Sequence, residues 1–266
     1  MTRRQRLPAA LTIAGSDSGG GAGIQADMKT FAALRVHGTS AITCLTAQNP
    51  KAVLGVQPAS PAFVRKQLAA VFAELRPAAI KTGMLYSRPI IRVVAEFLRE
   101  HRPVPLVVDP VMVATSGARL LKPDAIQSLL NDLLPLAALV TPNLDEARLI
   151  VGRPLRSVED LRAAARELSK RYGCAVLVKG GHLRGLRVAA DVFHSGKEES
   201  LLTAPFLRGI STHGTGCTYS AAITAHLARG RSLSKAVCLA KEYISQAIAQ
   251  SAVVGEHSVL NWLNRR

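Results

Sequence analysis

Gly15-Ser16-Asp17-Ser18-Gly19-Gly20-Gly21-Ala22-Gly23 decides the fold, because an apolar run over residues 9–13 leads into it and a helical pattern over residues 24–35 leads out. Strand, glycine loop and helix in that order open an α/β unit. Working outward, residues 40–47 read as a β-branched buried strand and residues 61–75 as an amphipathic helix with proline at its start. The alternation then predicts strands over 78–81, 105–108, 137–140 and 175–178, with helices over 89–100, 123–134, 145–151 and 158–172. Strands so uniformly apolar imply a largely parallel sheet covered on both faces. After Gly181 the rhythm changes. Residues 189–193 and 199–203, joined by Ser195-Gly196-Lys197, predict a short antiparallel edge. Two long helices, over 215–229 and 233–252, close the chain. The sequence shows no linker, internal repeat or low-complexity stretch, so the expectation is a single domain over residues 1–266, with residues 1–7 as a disordered basic start.

Composition narrows the class. The 266 residues carry 34 Lys and Arg against 18 Asp and Glu, a formal net charge of +16, with 48% hydrophobic residues. That balance suits a folded globular protein rather than a basic tail. Cys44, Cys174, Cys217 and Cys238 are scattered, with no C-x-x-C pair or other zinc spacing, which fits a reduced, cytoplasmic setting. Every apolar run is interrupted well before the ~20 residues needed to cross a bilayer. The opening Thr2-Arg3-Arg4-Gln5-Arg6 imitates a signal peptide, but the run after it enters the glycine loop and reads better as a first buried strand. A nucleic-acid binder would interleave a basic stripe with aromatics. Here aromatics are 4% and the basic residues are spread over many helices, so no specific nucleic acid is expected.

In a parallel α/β sheet, ligands gather at the carboxyl ends of the strands. Glycine and polar residues crowd those ends here: the 15–23 loop, Gln48-Asn49, Thr82-Gly83, Asp109, Asn143 and Lys179-Gly180-Gly181-His182. Gly21-Ala22-Gly23-Ile24-Gln25-Ala26 satisfies G-x-G-x-x-A, yet no Asp or Glu occurs between Asp27 and Glu74 to hold a ribose, and no phosphate loop of the G-x-x-x-x-G-K-[ST] type is present. A glycine turn of this kind also serves close strand-to-helix packing. Thr212-His213-Gly214-Thr215-Gly216-Cys217-Thr218 says more, because it opens a long helix. Unpaired N–H groups and the positive end of the helix dipole make an anion site there. Cys217 in the first turn would have its thiol pKa lowered.

Seven motifs then appear in a familiar order: residues 15–27, Ala-Gln-Asn (47–49), Lys-Thr-Gly-Met-Leu (81–85), Asp-Pro-Val-Met-Val (109–113), Thr-Pro-Asn-Leu-Asp-Glu-Ala (141–147), Val-Lys-Gly-Gly-His (178–182) and His-Gly-Thr-Gly-Cys-Thr (213–218). The chain resembles the hydroxymethylpyrimidine/phosphomethylpyrimidine kinases of thiamine biosynthesis, within the ribokinase-like superfamily. The resemblance implies a three-layer α/β/α sandwich with a mainly parallel central sheet. It implies ATP and Mg²⁺, and phosphorylation of 4-amino-5-hydroxymethyl-2-methylpyrimidine to its monophosphate and then to its diphosphate. It also implies a homodimer, and the interrupted apolar runs give no expectation of a membrane partner. Pyridoxine or pyridoxal kinase is the neighbouring activity. A non-catalytic vitamin-binding regulator would have no need of Glu146, Lys179 and Cys217 together. The length matches one kinase domain, without the thiamine-phosphate synthase domain to which the family is sometimes fused.

Carried onto this sequence, the resemblance puts Gly15, Asp27, Gln48, Met84 and Val111 around the pyrimidine. Gln48 can pair with an aminopyrimidine edge, Asp27 can accept from the amino or hydroxymethyl group, and Met84 and Val111 can sandwich the ring. The stretch 48–57 is the candidate flap. On the ATP side stand Asn143, Glu146, Lys179 and Thr212. Asn143 and Glu146 match the superfamily's N-x-x-E element, and Glu146, with Asp109 in support, would reach Mg²⁺ through water. Lys179 ends a buried strand, a costly place for a lysine unless it meets an anion. The backbone of Gly214, Thr215, Gly216 and Cys217 would hold the transferring phosphoryl group. Cysteine stands at 217 where most ribokinase-like sugar kinases have a catalytic aspartate. A permanent carboxylate would repel a phosphomonoester acceptor, whereas a thiol can be neutral. His182 and His213 read as packing or hydrogen-bonding histidines. Thr115 replaces a lysine common in the family.

Overall fold

The computed structural model describes residues 6–101, 103–112, 120–181, 183, 187–207 and 213–263. In chain order these form β1 (Ala9–Asp17), α1 (Gly23–Ala33), β2 (His37–Gln48), β3 (Val53–Pro58), α2 (Pro61–Glu74), β4 (Ala79–Thr82), α3 (Arg88–Glu100), β5 (Leu106–Val108), α4 (Pro123–Ser128), β6 (Leu139–Val140), α5 (Leu144–Val151), α6 (Val158–Tyr172), β7 (Ala175–Lys179), β8 (Val188–His194), β9 (Glu199–Pro205), α7 (Thr215–Ala228), α8 (Leu233–Ala249), β10 (Ala252–Val254) and β11 (His257–Val259).

Nine strands make one sheet in the order β3-β2-β1-β4-β5-β6-β7-β8-β9. The six from β2 to β7 are mutually parallel. The expected antiparallel edge is present as β8 and β9. The opposite edge is antiparallel too, because β3 folds back on β2 and turns the expected flap into a β-hairpin. Its side chains are largely exposed, so it carried no buried apolar run to announce it.

The parallel strands are buried on both faces, which is why they read as unbroken apolar segments. Helices α2 to α6 cover one face, where Ile90, Val94, Leu133 and Leu161 join the largest core cluster. Helices α1, α7 and α8 cover the other, around Tyr219, Ile223 and Ile244. Two helical boundaries differ from expectation. After Ser128 the predicted helix over 123–134 widens into a π-turn over Leu129–Leu133 and closes in a 3₁₀ turn over Leu134–Leu136, where Pro135 lacks the N–H to continue. Helix α8 stops at Ala249 rather than 252, and the chain turns at Gly255 (φ 59°) into the β10–β11 hairpin. No helix among the described residues is long and apolar enough to cross a membrane.

Chain order reverses at β1, with β2 on one side and β4 on the other. In open α/β sheets that reversal opens a crevice at the carboxyl ends of the strands. Helix α7 packs against β1, β4 and β5, so its N-terminus arrives at this crevice.

Candidate active site

A cavity of about 590 Å³ runs along the carboxyl ends of the strands. That is the size of an ordinary small-molecule site. At its middle is the N-terminus of α7. Gly214 caps it in the left-handed region (φ 80°), where a Cβ would collide with the Gly21 carbonyl, so the glycine loop and α7 can pack this closely only with glycine at 214. The Thr218 N–H makes the first bond of the helix, to Gly214 O at 2.9 Å. The amides before it lack partners inside the helix, and Thr215 Oγ1 is buried without a hydrogen bond. An anion placed here would satisfy both.

Three strand ends meet this helix. Asp109, after β5, accepts from Lys179 Nζ (2.9 Å) and Thr141 Oγ1 (3.2 Å) on one oxygen and from Ser220 Oγ (3.1 Å) on the other. Burial pushes its carboxyl up, but the Lys179 and Lys81 cations and the hydrogen bonds outweigh burial and hold it below the usual range. Glu146 takes N–H bonds from Asn143 (2.8 Å) and Met112 (3.4 Å). Burial lifts it to about 7, with Lys179 drawing it down and Asp109 pushing it further up. Asn143 is the N-cap of α5, its Oδ1 accepting the Asp145 and Glu146 N–H groups at 2.9 Å each. The same residue bridges to Lys179, so the cap of α5 is registered against the end of β7. No group of three or more His, Cys, Asp or Glu able to hold a metal occurs among the described residues. What is present is a pair of buried carboxylates, Asp109 and Glu146, that repel each other and share the charge of Lys179. That donor set fits an octahedral cation that keeps most of its waters.

Cys217 corrects the sequence expectation. Its thiol is pushed up to about 11, not down: burial dominates, the Lys81 cation and the Gly23 N–H oppose it, and Asp27 and Asp109 add to it. The helix terminus does not overcome an enclosure that holds two carboxylates. The direction of that shift favours the neutral thiol.

One arm of the cavity is bordered by Gly15, Gln48, Met84, Val111 and Leu120. The Gln48 backbone exchanges hydrogen bonds with Ser18 Oγ, and the residue borders the cavity. Met84 and Val111 pack in one apolar cluster with Cys44 and Leu120. Asp27 borders the cavity floor but is not a free acceptor. It is fully buried, with Oδ1 taken by Lys81 Nζ and Oδ2 by Thr12 Oγ1, both at 2.6 Å. Asp17 organises the glycine loop, accepting from Gly19, Gly21 and Ala22 N–H groups and lying 3.2 Å from His213 Nε2. His213 is thus a hydrogen-bonding residue, as read from the sequence. Thr212, His182 and Thr115 lie outside the described residues.

Sequence reasoning missed Lys81, Asp17 and the whole second arm of the cavity, bordered by Ala189, Ala204, Phe206, Ile244 and Ile248. Lys81 carried the signal that identified Lys179, a lysine at the end of an apolar strand. The second arm is built from unremarkable alanines and isoleucines and had none.

The sequence profile of a family described as phosphomethylpyrimidine kinase matches residues 17–261. A hydroxymethylpyrimidine/phosphomethylpyrimidine kinase from Rhizobium meliloti is 52% identical over 241 residues, 90% of each chain. A crystal structure of phosphomethylpyrimidine kinase from Clostridium difficile superposes with a TM-score of 0.81 at 43% identity, over 91% of this chain and all of that one. The pyridoxal kinase of Staphylococcus aureus in complex with AMP-PCP and pyridoxal gives 0.89 at 34% identity, over 98% of this chain and 96% of that one.

Proposed function

The chain belongs to the phosphomethylpyrimidine kinase family, with a ribokinase-like fold, and we propose that it transfers the γ-phosphoryl group of ATP twice: first to the hydroxyl of 4-amino-5-hydroxymethyl-2-methylpyrimidine, then to the resulting monophosphate. The observation that carries this reading is the meeting of the uncapped α7 N-terminus with the Lys179–Asp109 pair, midway between an arm with the expected ring-binding residues and a second, apolar arm. The first arm suits the pyrimidine, with the Gln48 amide for its polar edge and Met84 and Val111 for its faces. The second suits the nucleoside.

In each transfer an acceptor oxygen bonds to the γ-phosphorus, the bond from that phosphorus to the β,γ-bridging oxygen breaks, and ADP leaves with the electron pair. In the first transfer the hydroxyl proton passes to solvent water. In the second the phosphomonoester, with its second pKa near ~6, brings no proton at neutral pH. Positioning and charge stabilisation are the protein's main work. The amides of Thr215, Gly216 and Cys217 face the transferring oxygens, and Lys179 faces the polyphosphate. Thr212 belongs with them in this reading. Asp109 and Glu146 would hold Mg²⁺ through water, and Mg²⁺ when bound neutralises polyphosphate charge. A neutral Cys217 keeps a fixed negative charge away from the phosphorylated acceptor.

An ATP-dependent assay that follows mono- and diphosphate separately tests the assignment. Ordered appearance of both supports it. Failure of the monophosphate to react, or a far higher kcat/KM for pyridoxal, overturns it. The pyridoxal-bound neighbour favours pyridoxal turnover as a secondary activity, at lower kcat/KM. The reading includes one kinase domain, supported by the nine-stranded sheet that joins β1 to β9. It also includes a cytoplasmic location, consistent with four free cysteines, and a homodimer, which sedimentation equilibrium would test.

A further inference from the structure

A third buried ion pair ties α8 to the turn that follows Lys179. Asp191 sits opposite Lys179 in the antiparallel register of β7 and β8. Its Oδ1 accepts the Gly180 N–H at 3.0 Å, and its Oδ2 accepts from Lys241 Nζ at 2.6 Å. The same ammonium donates to the Ala189 carbonyl at 3.2 Å. Lys241 comes from the core face of α8, between Ala240 and Ile244, where an apolar residue would be the ordinary choice. Gly180 is held from the other side as well, since a Cβ there would collide with the Ala190 carbonyl and Leu161 Cδ1. The Gly180 backbone is therefore closely held.

Stability is a weak reason for such a pair, because desolvation of both charges cancels much of their attraction. A neutral partner could also satisfy one backbone N–H. What the pair adds is a rigid link from α8 through Asp191 to Gly180, one residue from the lysine whose ammonium reaches Asp109. A misplacement of about 1 Å in a charged group can cost ~100-fold in rate. We propose that Asp191 and Lys241 are positioning residues for Lys179, holding its ammonium on the polyphosphate of the nucleotide. The proposal rests on the nucleotide reading above.

The test is a double-mutant cycle on kcat/KM for ATP with Lys241→Met, Lys179→Met and the pair combined, with inhibition by inorganic tripolyphosphate measured alongside. Lys241→Met raises KM for ATP and Ki for tripolyphosphate at least tenfold and leaves KM for the pyrimidine within twofold. In the Lys179→Met background the same substitution costs less than threefold, because the group it positions is gone. Lys241→Arg recovers most of the loss. Equal factors in both backgrounds, or a pyrimidine KM that moves with that for ATP, overturn the proposal. If circular dichroism shows Lys241→Met to be unfolded, Asp191→Asn carries the same cycle, since it removes the charge and keeps an oxygen for the Gly180 N–H. A wild-type enzyme that does not phosphorylate the pyrimidine refutes the assigned substrate alone, and tripolyphosphate and ADP affinities measured by calorimetry in the same variants still decide the proposal.

Discussion

Lys81–Asp27 and Lys179–Asp109 are the same chemistry in two settings. Each joins a lysine at the end of a parallel strand to an aspartate, at 2.6 Å and 2.9 Å. The Lys81 side chain is 0% exposed and that of Lys179 is 13% exposed. Both lysines border the cavity, but an ammonium with no exposed surface has its partners fixed by the fold, whereas a partly exposed one can share itself with an arriving anion. The difference predicts that the first pair acts mainly on folding and the second mainly on catalysis.

The largest effect separates them. Removing one member of a buried pair strands the other charge, at roughly 3–5 kcal/mol. Lys81→Met should therefore lower the melting temperature by roughly 10 °C, and a thermal melt that barely moves would erase the distinction. Lys179→Met strands the buried Asp109 and should also melt lower, but it loses in addition on the order of 10²–10³ in kcat/KM for ATP, the usual cost of deleting one donor to the reacting charge.

Glu146 sharpens the contrast by being costly where it is useful. Its carboxyl stands at about 7 against an ordinary 4.5. Below pH 4.5 folded and unfolded forms are both protonated and nothing is lost. As pH rises towards 7 the unfolded form releases its proton while the folded form retains it, so stability falls, by about 3 kcal/mol in all, and is flat above. Glu146→Gln does not ionise. It should melt higher than wild type at pH 8, match it at pH 4, and lose Mg²⁺-dependent turnover. An equal melting shift at both pH values would remove titration from the account.

The residues that can be read in sequence and those that cannot divide along the same line. The parallel strands, α5, α6 and the start of α7 were legible because burial on both faces and capping chemistry leave a pattern in one stretch of chain: Asn143 with Glu146, Ser157 with Asp160 and glycine at 214 are local signatures. Resemblance added Gln48, Met84, Val111 and Asp109. Tertiary placement was not legible. Nothing near Asp27 in the chain says that a lysine 54 residues away closes it off, and nothing near Cys217 says that two carboxylates and burial outweigh the helix terminus. Edge strand β3 was missed because an exposed edge needs no apolar repeat.

Cys217→Asp probes the open region more gently. A carboxylate about 8 Å from a phosphate charge costs about 2 kcal/mol at an effective dielectric of 20. The second transfer should therefore slow by roughly 30-fold relative to the first. Unchanged relative rates of mono- and diphosphate formation would show that charge at 217 is not what admits the phosphorylated acceptor.

The smallest effect concerns Asn143, which borders the cavity yet belongs with the sealed pair by its bonding. Its Oδ1 is committed to two N–H groups of α5, so the oxygen that the N-x-x-E pattern offered to the ATP side is already in use. If capping is its role, Asn143→Ser should be nearly silent, because serine caps as well as asparagine, while Asn143→Ala should cost about 1 kcal/mol. The cost reaches catalysis only through Glu146, whose carboxylate closes the capping box on the Asn143 N–H. Asn143→Ala should then lower the melting temperature by roughly 2–4 °C and weaken Mg²⁺ dependence modestly, with KM for ATP in Asn143→Ser equal to that of wild type. A large rise in that KM in the serine variant, with an unchanged melt, would move Asn143 across the line and make its amide a ligand-facing group.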